Sequence, residues 1–529
     1  MGKHRVHIKT GKKEFDEFVS LIISFLRKAR MDMVIDGEKI SGYRTPDTHS
    51  IWIRDFSDML RAVKYFETDL KSAVQHFADT QSKNGRIFDY FTVFPEKKPC
   101  EKENWTKYVR VPVEADVEYR FIKAAFLAWQ ATGDDSWLEN LYPCMQKAME
   151  YVLKHPWRWD PKSNLVKRAY TIDTWDFAYT EGKHDWLQFQ VNDRTFWGIM
   201  HGDNSGYYET FSIMAFVSRF LGLNKQSETW EKRANEIRKN MNRICWNGTF
   251  YTHFVKLTPV KIKGVNESKQ LSLSNSMAIN RGAADHEKAV SIIKEYQKRQ
   301  KETEAFAEWF SIDPPFPDGI FGDDKLIAGA YVNGGIMPLV GGELSRAAFE
   351  HGFESYGVDI LERYYEMISA KGESYLWYFP DGTPSSPETS TSPEASSSDA
   401  WGSSAMLYAF IEGLCGIQDR SKIFQKVKIS PRWSAAGVKK AEVLVSYAAS
   451  EKTVRYTFTQ QKGQILLDVE CPLSDAFFHV LLPETAKVKA VEVQNKRLIF
   501  KETLVKQSRY VDFQIKKAKK DLIRIRLTD

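Results

Sequence analysis

Between positions 170 and 209 the chain reads YTIDTWDFAYTEGKHDWLQFQVNDRTFWGIMHGDNSGYYE, with three tryptophans (Trp175, Trp186, Trp197) among five aspartates and two glutamates. Indole faces stack on sugar rings and other flat ligands, and a carboxyl against an apolar wall keeps its proton toward neutral pH. Asp173 and Asp176 both flank Trp175, so this stretch predicts a carboxylic acid able to donate a proton. Asp203, in HGDNSGYYE, reads first as the N-cap of the next helix.

Four other segments carry matching chemistry. HSIWIRDFSDML sets Trp52, Arg54 and Asp55 around a helix start, a stacking face beside a charged fork for hydroxyls. VPVEADVEY places Glu114 and Glu118 four residues apart, on one face if helical. Glu308 and Trp309, then Tyr331 and Asn333 ahead of Gly334 and Gly335, are candidate subsite walls, because glycines let backbone approach a ligand. Glu373, Glu388 and Glu394 precede DAWGSSAML with its Trp401, and one of them is expected to be a second carboxylate. GIFGDDK lacks the acid spacing of a calcium loop. The chain has no G-x-S-x-G, no Walker loop, no G-x-G-x-x-G and no histidine pair with metal spacing, which leaves carboxylate chemistry best supported.

The elements that must hold these residues are helical. Apolar residues at helical spacing predict twelve helices, over 15–31, 53–66, 70–81, 113–131, 137–153, 207–221, 226–244, 272–280, 285–300, 335–349, 357–370 and 400–414. Links after even-numbered helices are about two to six residues, as antiparallel neighbours require, while those after odd-numbered helices run to roughly 20–50. Such alternation predicts six helical hairpins with tight turns on one face and functional loops on the other. Gly133 is expected to stop one helix, and Asp134 or Asp135 to cap the next. From 424 onward the pattern alternates residue by residue over nine short strands, predicting an antiparallel β-sandwich. The division is expected at 419, giving a helical catalytic domain over 1–419 and a β-domain over 420–529. The Ser- and Pro-rich run 383–398 reads equally as a linker or as a flap on the loop face.

Composition sets the outer bounds. With 529 residues, 43% hydrophobic content and 15 tryptophans, the chain can bury a large core. Its net charge of +6 is dispersed apart from 516–520, so no nucleic-acid partner is expected. Five scattered cysteines predict a reducing compartment without a disulfide framework, and the start lacks a leader's apolar segment, so the chain reads as cytoplasmic unless a leader was removed. No apolar run is long enough to span a membrane.

Helical hairpins, WIRD at the second helix, a tryptophan–acid pair between helices five and six, and an acidic loop before the last helix together resemble the six-hairpin, or (α/α)6-barrel, glycosidases. These include glucoamylase, trehalase, the processing glucosidases and α-L-rhamnosidase. Glucoamylases place the general acid after Trp in D-L-W-E-E, and trehalases use the Asp of W-D-F. Asp173-Thr174-Trp175-Asp176-Phe177 is similar to both, which implies Asp176 as the acid. The family base comes from the loop before the last barrel helix, whose entrance is similar to Asp399-Ala400-Trp401-Gly402, implying Glu388 or Glu394, with Glu373 third. The helix-then-sandwich tail most resembles a rhamnosidase. The implied activity is inverting, exo-acting hydrolysis of an oligosaccharide or small glycoside without cofactor or metal, with carboxyls about 6.5–9.5 Å apart. Trp52, Arg54, Asp55, Glu114, Asp173, Trp175, Asp203, Glu308, Trp309, Asn333, Glu373 and Trp401 are then candidate sugar contacts. Two rival readings are a sugar isomerase, epimerase or lyase using His49, His184 or His201, and an inactive carbohydrate-binding protein. Oligomeric state is left open by the sequence.

Overall fold

Two kinds of helix alternate along the chain, and their burial patterns differ. The computed structural model describes residues 6–45, 48–94, 104–175, 177–180, 191–391 and 398–528. Its helices are α1 (Lys13–Asp16), α2 (Phe18–Lys28), α3 (Ile53–Val63), α4 (Ser72–Asp79), α5 (Val117–Thr132), α6 (Asp135–Lys154) and α7 (His201–Phe220). They continue as α8 (Asn224–Cys245), α9 (Ser274–Asn280), α10 (His286–Glu302), α11 (Pro338–Glu350), α12 (Glu354–Lys371) and α13 (Trp401–Tyr408), the last running into a π-helical turn, Ala409–Leu414. Helix α8 is buried along one stripe, Ser227, Trp230, Ala234, Ile237, Met241 and Cys245, the three-and-four spacing of an outer helix. Helix α3 buries every residue, Arg54, Asp55, Asp58 and Arg61 included.

A helix buried on all sides must be surrounded by others. Helix α3 packs on α5, α5 on α7, α7 on α9, α9 on α11, α11 on α13, and α13 back on α3. Helices α4, α6, α8, α10 and α12 lie outside this closed circuit, each joined to the preceding inner helix by a short link, whereas α1 and α2 reach α3 through the long segment 29–52. At one such turn Gly133 (φ 71°) ends α5, and the Asp134 carboxylate caps α6 by accepting the Trp137 N–H. The inner helices thus all point the same way, and their N-terminal ends receive the long loops. Helices α11 and α13 approach through Gly341 and Gly342, where a Cβ on Gly342 would lie 2.4 Å from the Ala405 carbonyl carbon.

The C-terminal region forms a ten-stranded, mostly antiparallel sheet. Four of the expected short strands are two long ones, Gln464–Leu481 and Ser508–Leu527, which pair along most of their lengths. Each bends at an irregularity near Pro472 or Lys516 rather than ending there, with Leu473 (φ 62°) and Lys517 (φ 53°) left-handed. A bulge absorbs an extra residue and a missing proline N–H, which is why local turn signals were misleading. The strand Val6–Lys9 forms an edge of this sheet by pairing with Lys440–Ser446, so the first described residues join the last sheet.

One further expectation is corrected near the start. The helix expected over 15–31 stops at Lys28, and Arg30–Ile35 with Glu38–Tyr43 forms a hairpin through Asp36 (φ 51°) and Gly37 (φ 85°), the turn an Asp-Gly pair favours. Only Arg30 and Met31 of this hairpin fall within the helix expected over 15–31. Because backbone meets backbone at Gly342, G342V is expected to destabilise the fold by about 3 kcal/mol, the upper end for overpacking, read as a lower midpoint in thermal or urea unfolding.

Candidate functional site

Charged side chains crowd the N-terminal ends of the inner helices. Arg54, at the start of α3, donates to both oxygens of Asp116 (Nε 2.8 Å, Nη2 3.0 Å) and also to Glu114. Arg110 donates to Asp89 at 2.7 Å, pairs with Glu114 at 2.9 Å, and lies over the Trp52 ring at 4.2 Å. Deeper, Arg120 reaches Asp58 at 2.6 Å and Asp116 at 3.4 Å, and the Trp401 indole N–H donates to Asp58 at 3.0 Å. Removing charges from water is costly, and these are tolerable because each carboxylate meets cations or donors.

The acids on Arg54 behave differently. Burial would raise Asp116, but Arg54 and Arg120 hold it well below the usual range; Glu114 is pushed well above it, burial outweighing Arg110 and Arg54. Burial would likewise raise Asp58, but Arg120, Arg61 and Lys123 hold it far below. Asp203 is the exception of mechanistic interest. It is 3% exposed, and burial pushes its carboxyl up to about 6 against the pull of Arg168, with Asp116 and Asp173 adding to the rise. Its Oδ1 takes Arg168 at 3.3 Å, while its Oδ2 has no hydrogen-bond partner among the described residues. Asp173, raised by burial, is pulled below the usual range by His201 and His253 and by the Ser274 N–H at 3.3 Å. Both imidazoles are themselves pushed down to about 4 by burial and are neutral at pH 7, so the Ser274 N–H is the influence that lasts there.

Two small cavities open among these groups. One of about 40 Å³ is lined by Trp52, Arg54, Asp55, Arg110, Tyr331 and Trp401, among others. The other, about 10 Å³, roughly one water's room, lies among Asp116, Arg168, Asp173, Thr174 and Asp203. Arg54 and Thr174 line both. Thr174 has φ 65°, unusual for a β-branched residue, and its carbonyl accepts from Arg54 Nη1 at 3.4 Å. The Thr174 hydroxyl, Trp175 Nε1 and the Arg168 Nε and Nη2 groups lack partners among the described residues. Such a concentration of unsatisfied buried polar atoms marks a place built to hold something polar.

The structure separates the sequence candidates. Trp52, Arg54, Asp55 and Trp401 meet at one cavity, and Asp173 and Asp203 at the other. Asp176, His184 and Glu394 lie outside the described residues. Glu114 precedes α5, so Glu114 and Glu118 do not share a helical face; Glu118 instead accepts the Ile87 N–H at 3.3 Å. Asp203 is not an N-cap, since α7 begins at His201, two residues earlier. Glu308 is buried and held by the Tyr356 hydroxyl and both Arg363 nitrogens, at 2.9 and 3.0 Å, so it anchors α12. Trp309 is 1% exposed beneath it. Asn333 braces its own loop, accepting the Phe316 N–H at 2.7 Å and donating to the Phe316 and Leu326 carbonyls. Gly335 packs on the Tyr331 backbone. Glu373 takes Lys28 at 2.6 Å and Ser398 at 3.1 Å, while Glu388 is exposed. His201 is buried, its Nδ1 3.1 Å from the Thr252 carbonyl.

Arg110, Asp116, Arg168 and Thr174 were missed. Asp116 stands two residues from Glu114 in an acid-rich run and was in view; Arg168 sits on the short strand Arg168–Ala169, with no local signal to distinguish it.

Residues 8–305, more than half of the chain, match the model of the bacterial α-L-rhamnosidase six-hairpin glycosidase domain. The chain belongs to this α-L-rhamnosidase domain family. Similar solved structures accompany this six-hairpin glycosidase domain. An α-L-rhamnosidase from Dictyoglumus thermophilum superposes with a TM-score of 0.60 at 11% identity, over 99% of this chain and 50% of that one. The Streptomyces avermitilis α-L-rhamnosidase complexed with L-rhamnose gives 0.61 at 13%, over 99% and 42%, and the GH78 rhamnosidase of Bacillus sp. GL1 gives 0.59 at 15%, over 91% and 43%. At such identities the likeness is one of fold, and the chain spans half or less of these proteins' lengths. No curated protein matches the chain.

Two outcomes follow from the buried network. D58N leaves Arg120 and Arg61 without their shared anion and is expected to lose about 3–5 kcal/mol at pH 7. Because the folded-state value is depressed, Asp58 stabilises above its unfolded value near 3.8, and this is lost as pH falls. The gap between D58N and the parent in urea unfolding should therefore narrow below about pH 4. T174G removes the steric penalty of φ 65° and is expected to equal or exceed the parent in stability, within about 1–2 kcal/mol, in the same assay.

Proposed function

We propose that this chain is an inverting, exo-acting glycoside hydrolase on an (α/α)6 barrel, with a β-sandwich from about 420 onward, and that α-L-rhamnosides are the first substrates to try. The observation that carries the reading is Asp203, a buried carboxyl held protonated to about pH 6, one oxygen unpartnered, beside a second acid in a polar cavity at the helix N-termini. A glycosidic oxygen leaves as an alcohol only if a proton reaches it, and a carboxyl titrating near 6 is suited to supply one.

On its environment the proton donor in this proposal is Asp203, and Asp176, on its W-D-F motif, is the rival. Glu388 or Glu394 would activate water from the opposite face. Trp52 and Trp401 would bound the sugar, and Arg54, fixed by Asp116, would direct a hydroxyl. Isomerase or lyase chemistry has less support: His201 is buried with Nδ1 against the Thr252 carbonyl, and burial pushes it down to about 4, which makes it a weak base.

The test is a panel of aryl glycosides, led by p-nitrophenyl α-L-rhamnopyranoside, with the first-formed product anomer followed by proton NMR. Inversion is expected; retention would overturn the mechanism. D176N should lower kcat by about 10²–10⁴-fold if Asp176 donates the proton. If Asp203 is the donor, D203N shows that loss, and the parent's kcat falls as pH rises through about 6. Loss in neither variant would overturn the assignment.

A further inference from the structure

The inner helices end, opposite the candidate site, on a third and larger cavity of about 220 Å³. Against the ~10–15 Å³ that one water needs, this holds many waters, the scale of a monosaccharide or small oxyanion rather than a polymer. It is lined by the C-terminal parts of α3, α5, α9 and α11, by Glu209 and Ile213 of α7, and by residues 408–420, where the chain leaves the helices for the sheet.

Its wall carries more cations than acids. Arg61, Lys64, Lys123, Arg346 and Arg420 face Glu209, Glu412 and Asp419, and burial pushes Asp419 up to about 6. Cations at helix C-termini complement the helix dipole, and Arg61 in the last turn of α3 serves that purpose. That role leaves part of the wall unexplained. Arg61 is 3% exposed, and its Nη1 is taken by Glu343, but its Nη2 stands 3.5 Å from Asp58 without a hydrogen-bond partner among the described residues. Arg346 Nε is likewise unpartnered there, though its other nitrogens reach Asn280 at 3.2 Å and Glu412 at 3.1 Å. Gln418, 2% exposed, spends its amide N–H groups on Glu350 and the Glu412 carbonyl and leaves Oε1 without a donor among the described residues. Arg61, Arg346 and Gln418, each with a buried side-chain atom that lacks a partner among the described residues, thus line one cavity. Lys64 and Lys123 are both held below their usual range, chiefly by burial, and an anion beside them would raise them again.

We propose that this cavity is a binding site for a small oxyanion that also carries a hydroxyl, namely hydrogen phosphate or a sugar phosphate. The anionic oxygens take the Arg61 and Arg346 N–H groups, and the hydroxyl donates to Gln418. Arg420, exposed at the rim, provides the outer contact.

Isothermal titration calorimetry of the full chain at constant ionic strength tests this with inorganic phosphate, glucose 6-phosphate and sulfate, each against chloride. One saturable site is expected for inorganic phosphate or glucose 6-phosphate, the tighter of the two identifying the source. Sulfate, which has no hydroxyl at neutral pH, is expected to bind at least several-fold more weakly. R420A, an exposed change that leaves the buried pairs intact, should weaken binding by roughly tenfold, about the contribution of one charge-assisted contact. R346M should abolish it; if that variant fails to fold, R420A alone decides. No saturable heat up to about 10 mM, a dissociation constant unchanged in R420A, or sulfate binding as tightly as phosphate would overturn the site.

Discussion

A line of buried charge runs through the middle of the helix circuit, and the rest of the structure is arranged around keeping it satisfied. From the loop end it passes from Arg54 to Asp116, on to Arg120, Asp58 and Arg61, and finally to Glu343 and Asn280. These residues come from α3, α5, α9 and α11, or from the residue preceding α5, and Trp401 adds α13 through its bond to Asp58. Buried ion pairs add little to stability against an apolar alternative, but losing one partner strands a charge, so the line constrains which helices can be neighbours.

The same line joins the two polar cavities. Arg54 lines the small pair at the loop end, and Arg61 lines the larger one at the opposite end. The chemistry proposed for the loop end needs a carboxyl that is not neutralised by a good ion pair. Asp116 is fixed as an anion by Arg54, which leaves Arg168 only a single 3.3 Å contact with Asp203. Differently satisfied acids within one cluster are how a protein separates charge holding from proton transfer.

Much of the helical organisation was legible in the sequence because it rests on local periodicity. The alternation of tight and long links was visible without coordinates, as were Gly133 and the Asp134 cap. Errors came where two local signals competed. MDMVIDGEKI carries both a helix tail and an Asp-Gly hairpin, and pairing between Arg30–Ile35 and Glu38–Tyr43 decided it. The proline and lysine signals at 472 and 516 mark bends in long strands rather than ends, since pairing with a neighbouring strand carries each chain through its irregularity.

What the sequence determined by itself was the family of fold and the kinds of side chain gathered on its long loops: carboxyls beside indoles, on loops joining helical hairpins. It could not determine which acids share a cavity, because that depends on contacts between residues far apart in the chain. Glu308 looks like a site acid until Arg363 claims it, and Asn333 looks like a subsite residue until its own loop uses every polar atom. Asp203, read as a helix cap, gains its raised pKa from burial and from Asp116 and Asp173. Arg168 has no distinguishing neighbours in sequence and becomes visible only when the strand Arg168–Ala169 sets it beside Asp203. Side-chain type is written locally, whereas desolvation and charge pairing, which decide what a carboxyl can do, exist only after distant segments have packed.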